Sequence, residues 1–107
     1  MRWPWSRTPA ESEGRREEVL HLISKRLKEC EDTLQRNPQD EDALFTKGVF
    51  LARIGEYWRS IQCLDRVTEA NPEYPGVWHL KSSLYLRVGD PGKARACRER
   101  AQADAAR

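Results

Sequence analysis

Residues 37–72 read NPQDEDALFTKGVFLARIGEYWRSIQCLDRVTEANP, one full turn of a pattern that opens and closes on Asn-Pro. Shifted by 34 residues, Asn37-Pro38 returns as Asn71-Pro72, Lys47 as Lys81, Arg53 as Arg87, Gly55 as Gly89, Cys63 as Cys97 and Arg66 as Arg100. A fixed period of that length belongs to stacked two-helix units, each too small to bury its apolar face alone.

Within the quoted period, Leu44, Gly48 and Leu51, with Val49 and Ala52 beside them, make a broad apolar face and predict a helix from about Asp40 to Ile54. Gly55 suits the left-handed turn that ends it, and Glu56 is the expected cap of a second helix over Tyr57–Ala70, with Ile61, Leu64 and Val67 turned inward. One repeat on, Pro75 is expected at a helix start. Trp78, Tyr85 and Val88 are expected in the core, and Asp90-Pro91 opens the last helix with a cap and a first-turn proline. That helix has only Ala94, Cys97, Ala101 and Ala105 as its stripe and carries Arg95, Arg98, Arg100 and Arg107, a composition suited to sealing the end of a stack against water.

Working toward the N-terminus, Leu20, Ile23, Leu27, Cys30 and Leu34 step by three and four and predict a helix from near Ser12 to Arg36, which Asn37-Pro38 stops. Before it, Trp3-Pro4-Trp5 and Pro9 break regular structure. The expected organisation is all-α with about five helices. Residues 1–10 form a flexible Trp/Pro tail and 11–38 an N-terminal helix that reads as half of a degenerate repeat. Residues 39–74 make the first repeat, and 75–107 the second with its polar capping helix.

The totals narrow the function. The chain has 107 residues, 34% of them charged, with a net charge of +2. That is a mixed-sign surface, which disfavours nucleic acid as the main partner. No apolar run approaches the ~20 residues that span a bilayer, and the first residues lack the apolar segment of a secretory signal. A cytoplasmic location is expected. Cys30, Cys63 and Cys97 are too far apart for a C-x-x-C site and are expected to be buried, reduced thiols. His21 and His79 have no second ligand at helical spacing, so no metal is expected. No nucleophile–base set, phosphate loop or paired inward carboxylates stands out, and the chain reads as non-catalytic and free of cofactors.

These residues resemble the tetratricopeptide repeat family, whose units alternate bulky and small residues and close on proline. Residues 41–74 supply Leu44, Gly48, Leu51, Ser60, Leu64, Val67 and Pro72 in those roles, and residues 75–107 supply Trp78, Ser82, Tyr85, Ala94 and Ala101. Gly55-Glu56-Tyr57 is similar to the family's Gly-Asp-Tyr turn. Lys47 and Lys81 depart from a leucine, Arg98 from a bulky apolar residue and Pro91 from a tyrosine. The resemblance implies a short right-handed α-solenoid of antiparallel helix pairs.

It also implies a concave binding face made by the first helix of each repeat. The positions that line it in the family are here Asp42, Phe45, Val49, Ala52 and Arg53, then Gly76, His79, Ser83, Leu86 and Arg87. The lysine and asparagine with which some members grip a C-terminal carboxylate are replaced by Phe45 and Val49, so that ligand is not expected. What remains is an apolar strip of Phe45, Val49, Ala52 and Leu86, edged by Arg53, Arg87 and His79. It suits an amphipathic helix or extended protein segment with acidic residues. The expected function is therefore that of an adaptor or assembly factor. The alternative is a scaffold subunit of a larger complex, anchored through Trp3 and Trp5 to a partner or membrane edge, because tryptophan favours both settings. Trp58 and Tyr74 are read as packing near the repeat turns, with a convex-surface contact as the alternative for Trp58, and the basic last helix as a weak rival site for RNA.

Overall fold

The computed structural model describes residues 9–106, with side chains from Glu13 onward. Five helices follow in order: α1 (Pro9–Arg36), α2 (Glu41–Arg53), α3 (Tyr57–Ala70), α4 (Val77–Arg87) and α5 (Pro91–Ala105). The described residues contain no strand. Each helix packs chiefly on its neighbours in sequence, α1 on α2, α2 on α3, α3 on α4 and α4 on α5.

The turns between them come in matched pairs. After α2, the Gly55 and Glu56 amides donate to the carbonyls of Ala52 and Leu51. After α4, the Gly89 and Asp90 amides donate to those of Leu86 and Tyr85. Both glycines sit in the left-handed region, at φ 83° and 84°, where a Cβ would be strained. At the other junction type, Asn37 Oδ1 accepts from the Gln39 amide at 3.2 Å, and Asn71 Oδ1 accepts from the Glu73 amide at 3.1 Å. Such side-chain bonds two residues ahead compete with helix and end it.

One cap is as expected, at Asp90, and a second stands at Asp40, where the sequence reading only begins the helix. Asp40 Oδ1 accepts from the Ala43 amide at 2.9 Å, and Asp90 Oδ1 accepts from the Lys93 amide at 3.0 Å, with Pro91 in the first turn of α5. Glu56 occupies the cap position of α3 without accepting a cap hydrogen bond, in keeping with the preference for shorter oxygen-bearing side chains there. Pro75 does not start α4. It lies in the preceding turn, and Gly76, at φ 80°, is the cap.

The core gathers Leu44, Ile61, Leu64, Val67, Val77, Leu84, Tyr85, Ala94 and Cys97. Val77 is fully buried, while Trp78 and Val88, expected inside, are half-buried against the cluster. The α1 stripe is buried at Ile23 and Cys30, but Leu20 is 45% exposed, with Val19 and Leu22 beside it exposed as well. The reason is length: α2 has 13 residues and at 1.5 Å per residue covers only about 20 Å of α1. Ala105, expected on the α5 stripe, is exposed. All three cysteines are buried and free of disulfides.

The close approach of α2 and α3 has a local cause. A Cβ on Gly48 would lie 3.0 Å from Leu64 Cδ2, so a side chain at that position would have to displace the leucine for the helices to keep this approach. Across the same contact the Ser60 hydroxyl donates to the Gly48 carbonyl at 2.5 Å.

Candidate functional site

Val49, Ala52 and Arg53 stand on α2 and Ser83 and Arg87 on α4, and all five line one groove of about 310 Å³. Tyr57 at the start of α3, with Leu80 and Leu84 on α4, completes its wall. The floor is apolar, and a guanidinium from each flanking helix stands at the edge. Arg53 and Arg87 are exposed and form no ion pair among the described residues. Each sits in the last turn of its helix, where the helix dipole favours a cation.

The other expected residues go elsewhere. Phe45 turns onto Tyr74, with ring centres 4.8 Å apart and planes tilted by 36°. The Tyr74 hydroxyl donates to Asp42 at 2.5 Å, which ties Asp42, the first predicted lining position, to the loop before α4. Burial, then that hydrogen bond, then the charges of Asp42, Glu41 and Asp40 push the Tyr74 phenol up to about 12. His79 lines a second recess, of about 350 Å³, with Tyr74, Trp78 and Asp104. Leu86 is 57% exposed and lies outside the groove. Trp3 and Trp5 fall outside the described residues.

Tyr57, Leu80 and Leu84 were not legible as groove residues. The sequence places Tyr57 at a turn and the start of a helix, and Leu80 and Leu84 fall on no expected lining position. The available signal was their spacing: Leu80 and Leu84 are one helical turn apart, three residues before and one after the expected Ser83.

Among the described residues no group of three His, Cys, Asp or Glu side chains could hold a metal ion. No described helix is long and apolar enough to cross a membrane. The recurring cations of the two repeats differ in their surroundings. In the second, Lys81 is buried and its ammonium lies 2.8 Å from Asp65 and 4.7 Å from the centre of the Trp78 ring. In the first, Lys47 has no ion pair among the described residues. Neither a protein-family model nor a curated protein matches this chain.

Proposed function

We propose that the chain is a tetratricopeptide-like adaptor, a short right-handed solenoid of antiparallel helix pairs. It binds an acidic helical or extended protein segment in the groove between α2 and α4. One observation carries this reading: five side chains expected on a binding face, Val49, Ala52, Arg53, Ser83 and Arg87, line a single groove with an apolar floor. Val49, Ala52, Leu80 and Leu84 would supply the buried apolar area of a docked segment, and Arg53 and Arg87 its orientation by pairing with carboxylates. Phe45, held on Tyr74, shapes the approach and is not itself the floor.

The 34-residue recurrence of Gly55 and Gly89 in matched turns, and of Asn37 and Asn71 in matched stops, supports the repeat reading. The test is partner retention from the native host by three full baits: the wild type, Arg53→Glu with Arg87→Glu, and a chain lacking residues 1–10. Loss of the same protein from the charge-reversed bait alone supports the groove. Loss only from the shortened bait, with the charge-reversed bait unaffected, overturns it and makes the tryptophan tail the anchor.

A further inference from the structure

Besides Arg53 and Arg87 of the groove, the two repeats set cations at three further matching places: Lys47 and Lys81, Arg59 and Lys93, Arg66 and Arg100. In the second repeat each has something to hold. Lys81 pairs with Asp65 and stacks on Trp78. The Lys93 ammonium lies 5.7 Å from the centre of the Tyr85 ring, and the Arg100 guanidinium lies 5.3 Å from that of Trp78 and 3.4 Å from Asp104.

One repeat earlier those partners are missing. Leu44 stands where the second repeat has Trp78, Leu51 where it has Tyr85, and Ala70 where it has Asp104. An aliphatic side chain offers a cation no negative ring face. Glu31, the counterpart of Asp65, lines an adjoining recess with Lys47 and Arg66 but forms an ion pair with neither. Arg66 donates to the Pro38 carbonyl at 2.5 Å. Lys47 and Arg59 have no ion-pair partner among the described residues.

The three cations instead converge, with Leu51, Gln62 and Cys63, on a recess of about 240 Å³ that no carboxylate lines. A water takes up ~30 Å³ of liquid, so the recess has room for a tetrahedral anion and several waters. The two matching thiols report the difference in field. Burial pushes Cys63 up, and Lys47, Arg66 and Arg59 all oppose it with no carboxylate contributing. Burial also pushes Cys97 up, but there Asp65 adds to the rise and Lys81 alone opposes.

We propose that this recess on α2 and α3 binds a phosphate-type oxyanion, gripped by Lys47, Arg59 and Arg66 with the Gln62 amide as a further donor. Guanidinium forks match the oxygens of a phosphoryl group two at a time, and the lysine adds a point charge. The site uses other residues than the α2–α4 groove, so its failure would leave the adaptor reading untouched.

The test is titration of the full, isotope-labelled chain with inorganic phosphate and separately with O-phosphoserine, followed by amide NMR at constant ionic strength set with chloride. Saturable shifts centred on residues 59–66 are expected. Arg59→Ser and Arg66→Gln, both at exposed positions, should each weaken binding by about tenfold, while Lys93→Ser, the matching change in the second repeat, leaves it unaltered. Tighter binding of O-phosphoserine names a phosphorylated side chain as the ligand, and equal or tighter binding of phosphate names the free anion. Shifts that never saturate, that chloride reproduces, or that survive Arg59→Ser with a dispersed spectrum overturn the proposal.

Discussion

The hydroxyl of Ser60 on α3 donates to the backbone carbonyl of Gly48 on α2, and one repeat on the same bridge runs in the opposite direction. There Ser82 on α4, the counterpart of Gly48, donates at 2.8 Å to the carbonyl of Ala94 on α5, the counterpart of Ser60. At both contacts one residue is a serine and the other has little or no side chain. The exchange keeps one buried hydroxyl bond per helix pair while letting the backbones approach. Both bonds fall at positions 34 residues apart, in step with the recurrence of the sequence.

Removing that bond has a bounded effect. Ser60→Ala leaves the Gly48 carbonyl to its own helix, so no acceptor is orphaned and the loss is about 1 kcal/mol. Gly48→Val is expected to cost more, about 2–3 kcal/mol, because its side chain drives into Leu64 at the point of closest approach. Urea unfolding of both variants against the wild type checks the order.

The Lys81–Asp65 pair predicts an asymmetry. The lysine side chain is 9% exposed and the aspartate 44%, so the cation is the partner that has given up its water. Asp65→Asn strands that charge beside a neutral amide and should destabilise by about 1–2 kcal/mol, below the figure for a fully buried pair because Asp65 is solvated. Lys81→Met removes the charge with its desolvation and should lie within about 1 kcal/mol of the wild type. Thermal unfolding of the two single variants and the double variant closes the cycle.

Alkaline pH should loosen the link between α2 and the loop before α4. Tyr74 holds its proton to about 12 in the fold, against about 10 in an unfolded chain. The folded state therefore binds more protons in that window, and stability is fully present below about pH 10 and lost as pH rises through about 12. Tyr74→Phe cannot titrate there. The stability gap between wild type and variant should narrow over that range in denaturant melts, and a gap constant with pH would contradict a phenol held protonated by burial and by its bond to Asp42.

Much of the fold was legible because its boundaries are local chemistry. Gly55 and Gly89 act through their own backbones, and the Asn-Pro stops and the Asp90-Pro91 cap act on amides two or three residues away, and they lie where the sequence predicts. What was not legible depends on what covers what. Leu20 belongs to a correct stripe, yet α2 ends before reaching it. Pro75 obeys the rule for helix starts, but Gly76 beside it takes the turn. At the candidate site, the repeat register predicted five of the groove residues. It missed the turn of Phe45 onto Tyr74 because a ring contact to a loop leaves no trace in a helical period. His79 and Leu86 share that register and still face other space, since a helix face is wider than the groove laid along it.

The most direct measurement of the central claim is site-specific photo-crosslinking in the native host. A benzophenone side chain would replace Ser83 in the groove or Trp58, which is 57% exposed outside it. The account predicts a partner crosslinked from residue 83, absent from residue 58, and abolished by Arg53→Glu with Arg87→Glu in the same chain. A partner captured from residue 58 and never from residue 83 would contradict it.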